Sequence, residues 1–278
     1  MELEKRIAYM VDVGIIHYKN CLLIQDTLQE LRKQDDIPDL ILYGQHYPVI
    51  SFGGSSSSNG FTSFFLETVK SIYGNTDLPT IVDHLSELGI DFYNSLDHDS
   101  LARGGGSAYT GPGQLVVYPI VKHEAITRRS IGYIMYKQII DTIMIDVFRS
   151  FGIDAQIKTV ADTLLVDIDA RKDRKDVWIQ REKPYKLGGK AIRFSGPVAL
   201  HGFSLYVTKE SLRHFDKVLV CGYTQNQLGV TSIEHELGRN VLLSEVRDRV
   251  FSFLLTRFGY ESIKERSLDD FLPMEVVA

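Results

Sequence analysis

The chain has 278 residues and a formal net charge of −5, with 44% hydrophobic and 24% charged residues. This acidic balance argues against a nucleic-acid-binding protein, because such proteins usually carry a basic excess. No apolar run reaches the roughly 18 residues that a membrane span needs, and the N-terminal stretch lacks the apolar centre of a secretory signal. We therefore expect a cytoplasmic protein with neither a nucleic-acid nor a membrane partner.

The chain carries two cysteines, Cys21 and Cys221. Two cysteines in a chain of this length do not form a disulfide framework, so a reducing compartment is expected. Cys21 lies on the apolar face of a predicted helix, which indicates a buried, unreactive thiol. Cys221 follows the apolar run VLV and directly precedes Gly222. It is either a core residue at a strand end or a reactive thiol where a loop begins.

Hydrophobic periodicity predicts interleaved strands and helices. A first strand over residues 3–13 ends at Gly14, and Thr231 with Glu234 forms a capping-box pattern. Helices are predicted over residues 17–33, 61–74, 81–88, 128–150 and 244–258. Strands are predicted over residues 40–43, 90–93, 115–121, 160–168, 176–180 and 218–220. We find no repeat or linker, which favours one α/β (α+β) domain over residues 1–278, with a mixed β-sheet flanked by helices.

Residues 103–119, RGGGSAYTGPGQLVVYP, combine five glycines with a following apolar run. We call residues 103–114 the glycine cradle. Glycine permits positive φ and lets a ligand approach the backbone closely. The run Leu115–Val121 is typical of a buried strand. The cradle is therefore either a binding site at the edge of a core strand or a surface loop with tight turns.

The segment KLGGKAIRF offers three cations, Lys186, Lys190 and Arg193, around two glycines. A lysine packed against a tight backbone loses solvent and can exchange protons with a thiol. The alternative for each lysine is a solvated side chain.

Two histidines, His46 and His201, precede turn-like residues without a partner at metal-ligand spacing, so structural hydrogen bonding is expected of both. The chain lacks HExxH, paired CxxC, Walker, GxSxG and GxGxxG motifs. The sequence therefore predicts no metal site, serine nucleophile or dinucleotide site.

Taken together, these segments resemble the lipoate–protein ligase B family of octanoyl-(acyl carrier protein):protein N-octanoyltransferases. The family pattern RGGxxTYHGPGQLVxYP is similar to residues 103–119. Gly14, Tyr18 and Gln25 fit the first helix of the family. Further similar segments follow in the family's order: QHYPVISFG (45–53), DVWIQ (176–180), LHGFSLYV (200–207) and VCGYTQNQLGVTSI (220–233).

The resemblance implies a fold shared with the catalytic domains of biotin and lipoate protein ligases. It implies that Cys221 is the nucleophile and that Lys186, fifteen residues before His201, is the catalytic lysine. Backbone N–H groups near 189–191 and 202–204 would hold the acyl carbonyl, and Tyr109 would line the acyl pocket. The implied substrate-binding residues are Arg103, Gly104, Gly105, Gly106, Ser107, Ala108, Tyr109, Thr110, Gly111, Gln114, Gly189, Lys190, Ala191, His201, Gly202, Phe203 and Ser204.

The implied reaction moves an octanoyl group from acyl carrier protein to a lysine of a lipoyl domain. The implied acceptors are the lipoyl domains of 2-oxoacid dehydrogenase complexes and the glycine cleavage H protein. No metal or resident cofactor is implied, because the donor carries phosphopantetheine. Three alternatives remain open: an ATP-dependent lipoate–protein ligase, an amidotransferase between lipoyl proteins, and a catalytically silent binding protein.

The chain departs from the family pattern at Thr110, where the family has histidine, and at Ala191, where it has glycine. The stretches 58–100 and 160–185 are longer than usual. The segment KLGGKAIR also resembles the KxxGxAxR pattern of the ATP-dependent ligases.

Overall fold

A mixed arrangement of strands and helices forms the part of the chain that the computed structural model describes, which is residues 6–52, 72–74, 77–94, 103, 107–127, 132–159, 162–163, 175–218, 220 and 226–272. The strands are β1 (Ile7–Ile16), β2 (Asp39–His46), β3 (Val49–Phe52), β4 (Asp91–Asn94), β5 (Ser107–Thr110), β6 (Gln114–Ile120), β7 (Gln156–Thr159), β8 (Lys175–Gln180), β9 (Pro184–Lys190), β10 (Arg193–Ser195), β11 (Val198–Leu200), β12 (Phe203–Tyr206), β13 (Gly229–Val230) and β14 (Ser262–Glu265). The helices are α1 (Tyr18–Lys33), α2 (Leu78–Glu87), α3 (His123–Thr127), α4 (Tyr133–Ser150), α5 (Ile233–Leu237) and α6 (Leu243–Phe258).

Nine of these described strands build one mixed sheet in the spatial order β14-β1-β2-β6-β12-β9-β8-β7, with β13 paired to β9. Strands β14, β1 and β2 run parallel, whereas the neighbours from β2 to β7 run antiparallel. A smaller sheet has the order β4-β3-β5, and β10 pairs with β11. The predicted α/β class with a mixed sheet is therefore confirmed.

Helices α4 and α6 cover one face of the nine-stranded sheet, which we call the α4/α6 face. Its buried side chains include Ile41, Leu115, Val117, Leu187 and Leu205 from the strands, Ile140 and Val147 from α4, and Val250 and Leu254 from α6. Each fully buried aliphatic side chain of this kind contributes roughly 1.5–3 kcal/mol to stability. This cluster is the main core.

Helix α1 and the smaller sheet cover the opposite face, which we call the α1 face. Side chains alternate along a strand, so the neighbours of the main-core residues point here. Leu40, Leu42 and Val116 pack against Cys21 and Leu28 of α1. Trp178 and Tyr206 pack instead with residues of the smaller sheet and its helix α2, including Ile50, Phe52, Ile81 and Tyr109.

Most of the predicted elements occur near their predicted positions, but several boundaries were wrong. Gly14 does not end β1, because it lies at a bulge, with φ of 61°, within a strand that continues to Ile16. The predicted helix over 128–150 begins later, at Tyr133. The cap of α5 is Ser232, whose side chain accepts from the His235 N–H, and not Thr231.

Two predicted strands are not reproduced where the structure describes them. Strand β7 ends at Thr159, before the predicted strand 160–168, and residues 162–163 are helical. Lys217 closes a 3₁₀ turn and Val218 lies in a bend, so that of the strand expected over 218–220 the described residues keep only a β-bridge at Val220. The predicted helix over 61–74 lies almost wholly outside the described residues.

Within the described chain, no helix is long and apolar enough to cross a membrane. The described residues also bring together no group of three or more His, Cys, Asp or Glu side chains that could hold a metal ion.

Candidate active site

Lys186 and Asp176 form an ion pair on the α1 face of the large sheet. The Lys186 Nζ donates to Asp176 Oδ2 at 2.7 Å, and 13% and 8% of the two side chains are exposed. The ammonium also lies 5.9 Å from the centre of the Trp178 ring. Because water screens such a pair weakly, the ammonium and the carboxylate attract each other more strongly than an exposed pair would. The predicted catalytic lysine on β9 is thus held in place by two side chains of the adjacent strand β8.

A bulge in β9 separates Lys186 from Lys190. In a regular strand, residues four apart share a face, because side chains alternate with a period of two. Two consecutive residues of β8 lie opposite Lys186 and Gly188, which leaves Leu187 as an extra residue in β9. The extra residue reverses the alternation along the rest of the strand. The two lysines of KLGGK therefore point to opposite faces of the sheet.

Lys190 lies on the α4/α6 face, where it pairs with a different carboxylate. Its Nζ donates to Asp141 Oδ1 on α4, and 15% and 14% of these side chains are exposed. Burial raises the pKa of Asp141, and the Lys190 ammonium opposes that shift. The predicted substrate-binding residue Lys190 is thus held away from Lys186.

Gly189 and Ser204 lie beside the Lys186 pair on the α1 face. They are opposite each other in the register of β9 and β12. A Cβ on Gly189 would lie 3.5 Å from Lys186 Nζ and 3.8 Å from Asp176 Oδ1. Ser204 follows Phe203, which is buried in the main core on the other face. Among the predicted substrate-binding residues that the structure describes, Gly189 and Ser204 lie next to Lys186.

One backbone group predicted to hold the acyl carbonyl, the Ala191 N–H, is used within the fold, and so is the N–H of the neighbouring His201. The Ala191 N–H donates to the Gly202 carbonyl at 2.7 Å, and the His201 N–H donates to Gln25 Oε1 at 3.0 Å. His201 has a φ of 53°. A Cβ on Gly202 would lie 2.1 Å from the Val117 carbonyl oxygen. The absence of a side chain at Gly202 therefore allows the β6 backbone to pass close to it. The Ala191 N–H already donates to a protein carbonyl.

The second half of the glycine cradle makes room for other parts of the protein. A Cβ on Gly111 would lie 2.2 Å from Tyr109 Oη, and one on Gly113 would lie 2.2 Å from Thr208 Oγ1. The Gly113 carbonyl accepts from the Thr208 N–H at 3.2 Å. Gln114 is fully buried, and its amide donates to the Tyr109 carbonyl at 3.4 Å. This half is an internal turn that carries the chain from the smaller sheet into the large one.

The first half of the cradle contributes strand β5 to the smaller sheet. Tyr109 is buried, and its ring packs edge-on against Phe215 at 5.3 Å. It belongs to the same cluster as Trp178, whose ring faces Lys186. Ser107, Ala108 and Thr110 pair with residues of β3, and Gly104, Gly105 and Gly106 lie outside the described residues.

Arg103 lies at the junction of α1 and the smaller sheet. Its guanidinium donates to Ser51 Oγ at 3.0 Å and to the Ser51 carbonyl at 2.6 Å, and 8% of the residue is exposed. Burial raises the pKa of the neighbouring Tyr18 to about 12, and the Arg103 charge opposes that shift. Arg103, the first residue of the cradle, is thus bound through its side chain to β3 of the smaller sheet.

His46 is fully buried beside this junction. Its Nδ1 donates to the Ile16 carbonyl at 3.0 Å, because a carbonyl can only accept, and its Nε2 accepts from Tyr118 Oη at 2.7 Å. Burial lowers the pKa of His46 from 6.5 to about 4, and the bond to Ile16 opposes that shift. The neutral imidazole has a structural role, as the sequence predicts.

We expect the free energy of unfolding to fall as the pH falls from 6.5 towards 4, because only the unfolded chain takes up a proton at His46 over that range. A shift of this size corresponds to roughly 3 kcal/mol. Urea unfolding of the wild type and of His46→Gln at pH 7 and pH 4.5 measures the effect. The variant should lose less stability between the two pH values, and an identical loss in both proteins would contradict the prediction.

Cys221 lies outside the described residues, whereas Val220 before it and β13 after it are described. Val220 is buried in the same cluster as Trp178, which flanks the lysine. On the other side, β13 pairs in parallel with β9, and Val230 lies opposite Lys186. The strand that follows Cys221 in the chain therefore lies beside the strand that holds Lys186.

Comparison with known proteins places this site in a family. The sequence matches the lipoyl protein ligase A/B catalytic domain over residues 78–254. The chain belongs to this family. It is 30% identical to an octanoyltransferase of Koribacter versatilis over 95% of this chain and 89% of that protein. It is 28% identical to an octanoyltransferase of Rubrobacter xylanophilus over 91% of this chain and 95% of that protein.

These relatives match the chain along most of its length, so the protein is an enzyme of the acyltransferase class. The predicted resemblance to the octanoyltransferases is thereby confirmed.

Solved structures of the lipoyl protein ligase A/B family share the fold. The structure of lipoate-protein ligase A bound with ATP superposes with a TM-score of 0.63 at 14% identity, over 99% of this chain and 92% of that chain. The bi-partite lipoate protein ligase of Thermoplasma acidophilum gives a TM-score of 0.60 at 13% identity, over 99% and 90%. At this identity the similarity establishes the architecture of the sheet and its helices alone.

Asp176 is the residue at this site that the sequence did not reveal. The segment DVWIQ predicts a strand over residues 176–180 and assigns no role to its acid. The available signal was the alternation that places Asp176 and Trp178 on one face of β8. Only the pairing of β8 with β9 shows that this face carries Lys186.

Proposed function

We propose that this acyltransferase moves an octanoyl group from acyl carrier protein to a lysine of a lipoyl domain through a thioester on Cys221. The acceptors are the lipoyl domains of 2-oxoacid dehydrogenase complexes and the glycine cleavage H protein. The observation that carries the proposal is the buried ion pair of Lys186 and Asp176, on a strand with which β13, the strand that follows Cys221, pairs in parallel. Octanoyltransferase relatives that match most of the chain support the same acyl group.

The first step loads the enzyme. The Cys221 sulfur, having passed its proton to Lys186, attacks the carbonyl carbon of the octanoyl thioester. A C–S bond to Cys221 forms while the C–S bond to the phosphopantetheine breaks. The Lys186 ammonium then gives its proton to the leaving thiolate.

The second step delivers the acyl group. The neutral ε-amine of the acceptor lysine attacks the Cys221 thioester, a C–N bond forms and the C–S bond breaks. Lys186 takes the proton that the amine releases, and the Cys221 sulfur leaves as a thiolate. Exchange between thioesters is nearly balanced and conversion to an amide is downhill, so we propose that neither a metal nor a nucleotide is required.

The test is to incubate the protein with octanoyl-acyl carrier protein and to measure its intact mass, followed by peptide mapping. One octanoyl group should appear on Cys221. Cys21 is the internal control, because it is fully buried and burial raises the pKa of its thiol to about 12. Cys221→Ser should acquire no acyl group and transfer none, and octanoyl transfer by this variant to a lipoyl domain would refute the proposal.

The same assay separates the alternatives by donor. Transfer from free octanoate that depends on ATP would identify a ligase instead. Preference for an octanoylated lipoyl protein over octanoyl-acyl carrier protein would identify an amidotransferase. Failure of a thiol reagent to label Cys221 at neutral pH, with no transfer from any donor, would identify a binding protein.

A further inference from the structure

We propose that Asp176 is a positioning residue that holds Lys186 as an ammonium and thereby keeps Cys221 as a thiolate in the resting enzyme. The three residues would act as a Cys–Lys–Asp triad. This inference rests on the proposed function, because it assumes that Cys221 is the nucleophile and that Lys186 is its proton partner.

The geometry of the pair differs from that of a surface salt bridge. Asp176 Oδ2 accepts from Lys186 Nζ at 2.7 Å, with 8% and 13% of the side chains exposed. Exposed pairs of this kind contribute little, whereas a buried charge without its partner is strongly unfavourable. The two residues lie on adjacent strands of the large sheet, and a Cβ on Gly189 would be in van der Waals contact with the Lys186 Nζ, at 3.5 Å.

A carboxylate in this position gives the catalytic cycle a defined start. With the proton on Lys186, the Cys221 thiolate attacks the octanoyl thioester directly, and the departing phosphopantetheine thiolate takes the proton from Lys186. The neutral Lys186 then accepts a proton from the acceptor amine as the amide forms and the Cys221 thiolate leaves. One turnover therefore restores the thiolate and the ammonium, and no proton is left over.

Other charged groups lie around the pair and must be considered in any pH dependence. Lys158 is opposite Asp176 in the register of β7 and β8. Asp141 lies across the sheet, paired with Lys190, and the charge of Asp176 is among the causes that raise the pKa of Asp141. Asp141 pairs with Lys190, which lies on the same strand as Lys186. Substitution of Asp141 therefore provides a matched control, because it disrupts a buried Lys–Asp pair without removing the partner of Lys186.

The test compares Asp176→Asn, Asp176→Glu and Asp141→Asn. The rate of Cys221 alkylation by iodoacetamide is measured against pH, together with octanoyl transfer. Asp176→Asn should move the alkylation curve to higher pH, lower the rate at pH 7 by about tenfold and lower kcat by about 100-fold or more. Asp176→Glu should recover part of both, and Asp141→Asn should leave the alkylation curve in place.

Three outcomes overturn the inference. One is a folded Asp176→Asn protein with the wild-type alkylation curve. Another is an equal displacement of the curve in Asp141→Asn. The third outcome needs no variant. It is an alkylation rate of Cys221 in the wild type that still rises tenfold per pH unit up to about pH 8, as it does for an ordinary thiol. In contrast, octanoyl transfer by Cys221→Ser or by Lys186→Ala would overturn the proposed function itself.

Discussion

Lys186→Arg should be folded and as stable as the wild type, yet lose octanoyl transfer by about 10³–10⁴-fold. Arginine keeps the positive charge beside Asp176, so the buried ion pair survives. The guanidinium does not give up its proton in proteins, whereas the proposed cycle requires a neutral amine after the first step. The variant therefore separates proton transfer from charge pairing.

Lys190→Ala is the matched comparison for Lys186→Ala. Each substitution removes a lysine of β9 from a buried carboxylate, and each is expected to lower the free energy of unfolding by about 3–5 kcal/mol. The bulge at Leu187 places Lys186 on the α1 face and Lys190 on the α4/α6 face. Transfer should therefore disappear in Lys186→Ala and remain within about tenfold of the wild type in Lys190→Ala.

Steady-state transfer from octanoyl-acyl carrier protein to a lipoyl domain, with urea unfolding of each variant, measures both effects. Comparable activities of the two alanine variants would remove the assignment of Lys186. An active Lys186→Arg enzyme would show that the lysine supplies charge only.

The positions of most elements followed from local pattern. The stripe of Cys21, Ile24 and Leu28 predicts α1, and these residues are buried. The glycines at 152 and 259, with φ of 77° and 70°, follow the ends of α4 and α6, where a left-handed glycine commonly ends a helix. These signals depend on residues a few positions apart, which is why the sequence alone carries them.

The site depended on information that local pattern does not contain. The spacing of Lys186 and Lys190 suggests one shared face, and only an extra residue in the pairing of two strands separates them. Asp176 becomes significant through its neighbour on β9. The boundary of a bulge is set by tertiary pairing, so neither feature could be inferred from periodicity.

Glycine was the residue type with the least predictable role. An open approach to a ligand and a close approach of the protein to itself both require the absence of a Cβ. Gly189 borders the Lys186 pair, whereas Gly202 and Gly113 border backbone or side-chain atoms of neighbouring segments. The sequence pattern is the same in both cases, and only the surrounding atoms distinguish them.

Gly113→Ala should lower the free energy of unfolding by about 3–5 kcal/mol in the absence of any ligand. Gly113 has a φ of 82°, which disfavours an L side chain by about 1–2 kcal/mol. The added Cβ would also lie 2.2 Å from Thr208 Oγ1 and 2.7 Å from the Ser211 backbone nitrogen. Overpacking of this kind costs about 1–3 kcal/mol or more.

Gly152→Ala isolates the first of these two effects. Gly152 has a similar φ of 77°, and a Cβ there would meet nothing within 4 Å. It should therefore lose about 1–2 kcal/mol, which urea unfolding of the two variants side by side resolves. Equal losses of unfolding free energy in the two variants would mean that only the positive φ, and not the close contacts of an added Cβ, requires glycine at position 113. Unchanged stability of Gly113→Ala with a raised KM for the octanoyl donor would instead show that this glycine faces the ligand, as the sequence first suggested.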